Sequence, residues 1–65
     1  MNVLINDTPH VLPEPATVAD ALVAIDAAPP FAVAVNRVFV PRSAYIGHSL
    51  KDQDRIEVIR PVTGG

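Results

Sequence analysis

Sixty-five residues that include no cysteine must fold around one small core by packing alone. A chain of this length buries only about 60% of the surface that it exposes when unfolded, so we expect one domain without a deep catalytic pocket. Apolar residues make up 49% of the sequence and charged residues 18%, which predicts a folded globule and not a disordered chain. The lack of cysteine also excludes a thiol nucleophile on any side chain.

The charge balance argues against nucleic acid and membranes as partners. The net charge is −2, and acidic and basic residues are interspersed, so the sequence has neither a basic footprint nor a cationic face. Residues 1–5 lack the positively charged start and the long apolar run of a signal peptide, and no stretch is long enough to span a membrane. We therefore expect a cytoplasmic protein.

Turn-forming residues divide the chain into five β-prone runs. The predicted strands are residues 3–5, 10–12, 31–35, 38–40 and 55–60. The first two are separated by a turn at residues 6–9, and the next two by the two-residue turn Asn36-Arg37. Residues 43–48 are expected to form only a short helical turn or loop.

A helix is expected between the two hairpins. Thr17 is a favourable N-cap, and Asp20, three residues later, can complete a capping box. The helix has one apolar stripe with the spacing i, i+3, i+4 and i+7, formed by Val18, Ala21, Leu22 and Ile25. The segment 27–30 ends it, since proline cannot continue a helix.

This order of elements predicts an α+β fold of the β-grasp (ubiquitin-like) type. In that fold a mixed sheet of about five strands wraps one main helix, and the first and last strands lie side by side in the middle. A ferredoxin-like fold would need a second full helix, for which the sequence has no segment. The predicted core is Val3, Ile5, Leu12, Leu22, Ile25, Val33, Val35, Val40, Leu50, Ile56 and Val58.

The chain ends in Thr63-Gly64-Gly65, which has little folding value because glycine loses the most backbone freedom when it is ordered. Without Cβ atoms, such a segment can enter a narrow channel in another protein and deliver the free carboxylate of Gly65. That carboxylate is ionised at neutral pH and must be activated, most simply as an acyl-adenylate, before a nucleophile can attack it. We expect a flexible tail at residues 62–65 after a domain of residues 1–61.

Several ordered motifs resemble those of the ThiS sulfur carriers of thiamin biosynthesis. They are Thr17-Val18 with Leu22, Ala34-Val35-Asn36, Val40-Pro41-Arg42, Leu50 with Asp52-Gln53-Asp54, Ile56-Glu57-Val58-Ile59 and the final Gly64-Gly65. The resemblance covers essentially the whole chain. One position departs from the family pattern, because Gln53 stands where the usual Asp-Gly-Asp turn has glycine.

This resemblance implies a carrier and co-substrate, not an enzyme, with no cofactor bound. An E1-like adenylyltransferase resembling ThiF would use ATP to adenylate Gly65 and release pyrophosphate. A persulfide on a partner protein would displace AMP and leave a thiocarboxylate, and a thiazole synthase resembling ThiG would receive its sulfur. The tail residues that these partners would recognise are Val62, Thr63 and Gly64.

An apolar patch is expected on the sheet face opposite the helix, formed by Ala34, Phe39 and Ile59. Ile59 points away from the helix because side chains alternate along a strand. An exposed isoleucine just before the tail is not needed for folding, so we interpret the patch as a partner surface. Its expected rim is Arg37, Glu57 and Arg60, and scattered surface hydrophobic residues are the alternative interpretation.

Other functions remain open at this stage. The small subunits of molybdopterin synthase share the fold and tail but tend to be longer. A protein-conjugation tag would also share them, although the single lysine, Lys51, disfavours chains built on the protein itself. A binding module with an incidental Gly-Gly end is a third possibility. A metal site is not expected, because His10 and His48 lack further patterned ligands. Arg42 either contacts a partner or caps a loop carbonyl.

Overall fold

A computed structural model describes residues 1–29 and 31–60 of the chain. Its strands are β1 (Asn2–Ile5), β2 (Thr8–Val11), β3 (Ala32–Val35), β4 (Val38–Val40) and β5 (Arg55–Ile59). The helix α1 spans Val18–Ala24, and a 3-10 turn spans Arg42–Ala44. The strands form one sheet in the order β2-β1-β5-β3-β4, with β1 and β5 parallel at its centre and the other pairs antiparallel. The predicted β-grasp fold is confirmed.

The first hairpin differs from the prediction. Its turn is the two residues Asn6 and Asp7, with φ of 51° and 66°, and positive φ at both positions is typical of a type I′ turn. Consequently β2 begins at Thr8, and Pro9 lies inside the strand opposite Leu4. The prediction of a turn over residues 6–9 was wrong because β2 is an edge strand, where the missing N–H of a proline is tolerated.

The second hairpin has the predicted two-residue turn, and this turn places Val33 opposite Val40 and Val35 opposite Val38. Its turn residues, Asn36 and Arg37, have φ of 50° and 68°. Three of the four valines are buried, whereas Val38, the first residue of β4 after the turn, is 65% exposed. β3 begins one residue later than predicted.

The helix begins as predicted and ends earlier. Thr17 is the N-cap, and both bonds of the capping box with Asp20 are present. The end is a Schellman motif, in which the N–H of Asp26 donates to the Val23 carbonyl and that of Ala27 donates to the Leu22 carbonyl, each at 3.0 Å. The helix therefore stops at Ala24, before the prolines are reached.

The core lies between the sheet and α1. Its buried apolar residues are Val3, Ile5, Leu12, Ala16, Val18, Ala21, Leu22, Val33, Val35, Val40, Leu50, Ile56 and Val58. Ile25, which was predicted to belong to the core, caps the helix and is only partly buried against it. The early end of the helix explains this difference. Phe31 is also partly buried, and its ring stacks on Tyr45 with the ring centroids 6.0 Å apart.

Candidate functional site

The central strand β5 leads directly to the C-terminal segment of the chain. Ile56 and Val58 face the helix and are buried, whereas Ile59 is 56% exposed. This alternation confirms the predicted register of the strand. The predicted tail, including the expected site residues Val62, Thr63, Gly64 and Gly65, lies outside the described residues.

The structure places Ala34, Phe39 and Ile59 on the sheet face opposite the helix, which we call the outward face. Ala34 lies directly between Phe39 of β4 and Glu57 of β5, and Ala32 lies beside Ile59. Phe39 is 66% exposed. The small alanine side chains leave a shallow strip on β3 between Phe39 on one side and Glu57 and Ile59 on the other.

A shallow depression lies on the outward face across β5, between the two hairpin turns. It is lined by Asn6, Asp7, Ala34, Arg37, Arg55, Glu57 and Ile59. Arg37 and Glu57, which were expected on the rim of the apolar patch, line this depression, whereas Arg60, which was expected with them, does not. Because Arg60 follows Ile59, it points to the opposite side of the sheet, where it lines a separate groove with Ile5 and Val58.

Arg55 lines this depression and was not among the expected rim residues. It shares strand parity with Glu57 and Ile59, so the alternation rule could have found it. Asp7 could not have been found without knowing that the turn has two residues. The Arg55 guanidinium lies 3.9 Å from the Asp7 carboxylate, and both side chains are largely exposed, so the pair adds little stability. The depression thus carries charge of both signs beside an apolar patch.

Two asparagines attach the hairpin turns to β5. The N–H of Asn6 donates to the Ile56 carbonyl at 2.9 Å, and its side-chain oxygen accepts from the Val58 N–H at 2.8 Å. Asn36 does the same with Arg55, at 2.7 Å and 3.0 Å. The two turns therefore hold β5 from both sides, and each asparagine supplies a positive φ as well.

The start of β5 is fixed by a buried carboxylate. Asp54 is 9% exposed, and its two oxygens accept from the Asn36 side-chain amide at 3.0 Å and from the Lys51 N–H at 2.8 Å. Its backbone N–H donates to the Lys51 carbonyl and closes the preceding turn. The acidic turn is therefore a structural element of the fold.

The neighbouring Asp52 joins that turn to the amino-terminal strand. The N–H of Asn2 donates to its carboxylate at 2.6 Å, and the Gln53 side chain donates at 3.3 Å. These two hydrogen bonds, the first being the larger effect, hold the pKa of Asp52 below its usual value of 3.8. Gln53 has φ of 73°, so the turn keeps the backbone conformation that glycine normally supplies.

The comparisons with known proteins settle the family. The model of the ThiS family matches residues 2–65. The chain belongs to the ThiS family. No curated protein sequence matches it. The crystal structure of a thiamine biosynthesis protein (ThiS) from Geobacter metallireducens is similar, with 28% identity, a TM-score of 0.82 and full coverage of both chains.

An NMR solution structure of a thiamine biosynthesis protein from Geobacter metallireducens is also similar to this ThiS-family chain. The TM-score is 0.80 at 28% identity, and the match covers all of this chain and 88% of the other. Two of the motifs that carry the resemblance, at residues 34–36 and 52–54, contain Asn36 and Asp54, whose side chains are hydrogen-bonded to each other. Asn36 also accepts from the Arg55 N–H. In this chain the side chains of Asn36 and Asp54 therefore stabilise the fold.

The remaining candidate residues lie apart from the outward-face patch. His10 is partly buried in β2, His48 lies after the 3-10 turn, and Arg42 lies at the start of that turn. Across residues 1–29 and 31–60, no three potential metal-binding side chains of His, Cys, Asp or Glu are grouped together. Within the same ranges, no helix has the length and apolar character needed to cross a membrane.

Proposed function

We propose that this ThiS-family protein is a sulfur carrier of thiamin biosynthesis, and that it is a co-substrate of other enzymes and not itself a catalyst. The observation that carries the proposal is the family match over residues 2–65, which includes the terminal Gly64-Gly65. The similarity over the full chain to a thiamine biosynthesis protein supports it. The same match favours the thiamin pathway over molybdopterin synthesis.

The proposed chemistry takes place at the carboxylate of Gly65. ATP adenylates that carboxylate in the active site of an E1-like, ThiF-like enzyme, which converts a poor electrophile into an acyl-adenylate and releases pyrophosphate. The terminal sulfur of a partner's persulfide then attacks the acyl carbon and AMP leaves. A thiol cleaves the resulting sulfur–sulfur bond, which leaves a thiocarboxylate on Gly65. A ThiG-like thiazole synthase receives this sulfur.

The outward face is the proposed docking surface for these partners. Phe39 and Ile59 expose apolar area on a sheet face that no helix covers among the described residues, and the mixed charges of the depression lie beside them. Exposed apolar area of this kind is typical of recognition sites. Ile59 lies at the end of β5, so this face is suited to binding a partner that also receives the tail, including Val62, Thr63 and Gly64.

Intact mass spectrometry tests the chemistry directly. The protein incubated with a ThiF-like enzyme, ATP and a persulfide donor should gain about 16 Da, the difference between sulfur and oxygen. One alanine added after Gly65 should abolish the gain without changing the melting temperature, since the new terminus lacks the proper glycine carboxylate. A mass gain in the extended protein would contradict the proposal.

The same experiment separates the other functional classes. A conjugation tag would appear attached to target proteins through isopeptide bonds, and an inert binding module would keep its mass. Either result in place of the sulfur gain would overturn the carrier function.

A further inference from the structure

On its β1 side, β5 donates a hydrogen bond to a side chain at the point where the neighbouring strand ends. β1 stops at Ile5, which is paired with Ile56. In the antiparallel pair with β3, alternate residues of β5 bond to β3, and the Asn36–Arg55 bond shows that these are the odd-numbered ones. The N–H of Val58 therefore faces β1, beyond the last residue of that strand.

Asn6 supplies the missing acceptor. Its side-chain oxygen lies 2.8 Å from the Val58 nitrogen, and this bond replaces the backbone carbonyl that a longer β1 would offer. The asparagine is itself held, because its own N–H donates to Ile56 at 2.9 Å and its φ of 51° belongs to the type I′ turn. Backbone pairing with β3 thus fixes one edge of β5 up to Ile59. The Asn6 side chain fixes the other edge up to Val58.

We propose that Asn6 is a positioning residue, which sets the direction in which the end of β5 delivers the C-terminal segment to the activating enzyme. This inference rests on the proposed carrier function. Without the bond, the N–H of Val58 would lose its acceptor, only the pairing with β3 would hold this part of β5, and the end of the strand would fray. The activating enzyme would then have to order that end itself, and this ordering weakens binding.

The experiment uses two matched glycine variants. Asn6→Gly and Asn36→Gly each remove a side-chain acceptor from one N–H of β5, and glycine tolerates the positive φ at both positions. Asn36→Gly also removes a donor from buried Asp54, so it should be at least as unstable as Asn6→Gly. A third variant, Asn6→Asp, keeps an acceptor at the same place but changes the charge of the depression.

Amide hydrogen exchange measures the effect on the strand without any partner. In Asn6→Gly the exchange of the Val58 amide should accelerate by at least about tenfold relative to that of Ile56, because local opening becomes easier. Asn6→Asp should restore slow exchange. Asn36→Gly should leave the Val58 amide at the rate set by its global stability. Unchanged Val58 exchange in Asn6→Gly would overturn the proposal.

Activation kinetics measure the effect on function. Asn6→Gly should raise KM for adenylation about threefold or more with kcat unchanged, and Asn36→Gly should leave both constants unchanged. Recovery of KM in Asn6→Asp supports positioning, because a lost contact between the amide and the partner would not be restored by a charged group. An unchanged KM in Asn6→Gly, or no recovery in Asn6→Asp, would overturn it. If the parent protein is not adenylated at all, the carrier function fails, whereas the exchange result still reports on the strand.

Discussion

At the scale of single residues, left-handed backbone positions are the main local departure from ideal geometry. The non-glycine residues with positive φ in the described ranges are Asn6, Asp7, Asp26, Asn36, Arg37 and Gln53. Asparagine and aspartate tolerate this conformation best, which suits four of these six positions. Arg37 and Gln53 do not have that advantage, so stability is expected to rise where their Cβ is removed.

Gln53→Gly is predicted to stabilise the protein. Gln53 occupies the third position of the turn from Lys51 to Asp54, where φ is 73° and glycine avoids the steric contact of Cβ. Gln53→Ala is the matched control, since it removes the same hydrogen bond to Asp52 but keeps Cβ. Urea denaturation should give the glycine variant an unfolding free energy about 1–2 kcal/mol above that of the alanine variant. Equal values for the two variants would contradict the strain argument.

Asp52 is predicted to make stability depend on pH in the acidic range. The pKa of the folded state lies below the usual value of 3.8, so below that value the unfolded chain binds a proton more readily than the folded one. The contribution of Asp52 is therefore complete above the unfolded pKa and is lost as the pH falls through the folded pKa. In Asp52→Asn, which keeps an acceptor for Asn2 but cannot ionise, the fall in unfolding free energy below pH 3.8 should be less steep. An identical slope in both proteins would refute this assignment.

At the scale of elements, burial predicts a graded series for one chemical change. Ile56 is fully buried in β5, Ile25 caps the helix and is partly buried, and Ile46 is 82% exposed. Ile56→Ala should cost about 2–5 kcal/mol, and Ile46→Ala no more than about 0.5 kcal/mol. Ile25→Ala should fall between them. A loss at Ile25 as large as that at Ile56, measured by urea denaturation, would show that the end of the helix belongs to the core.

The elements also show which features can be predicted from sequence. Alternation in β3, β4 and β5 fixed which side chains face the helix, and the capping box located its start, because both signals depend on neighbouring residues. The edge position of β2 could not be read locally, so Pro9 was taken for a turn residue. The early end of the helix was missed because Asp26 occupies the position at which the Schellman motif usually has glycine.

The prediction of site residues was also limited to features that depend on residues close together in the sequence. Phe39, Ala34 and Ile59 were placed on one face by strand parity alone, and the structure puts them there. Asn6 was missed, because its contact with Val58 joins residues 52 positions apart and depends on where β1 ends. Such long-range hydrogen bonds follow from topology and leave no periodic signal in the sequence.

At the scale of the whole molecule, one face of the sheet is buried in the core and the other is exposed. One face carries the helix and the core, and the outward face carries the charged residues that line the depression together with the exposed side chains of Phe39 and Ile59. A sheet that is covered on one side can expose the other without loss of stability. Substitutions on the outward face should therefore separate binding from folding.

Phe39→Asp and Ile59→Asp are predicted to weaken partner binding while the protein stays folded. A charge at either position would have to be desolvated against an apolar partner surface, so the dissociation constant for the ThiF-like enzyme or the ThiG-like synthase should rise at least about tenfold, or 1.4 kcal/mol. Ile46→Asp is the matched control, because Ile46 is exposed in the loop after the 3-10 turn and is not part of the outward face. Isothermal titration calorimetry measures binding, and circular dichroism verifies the fold. Equal affinities for Ile59→Asp and Ile46→Asp, or loss of the fold in either outward-face variant, would show that this face is not the docking surface.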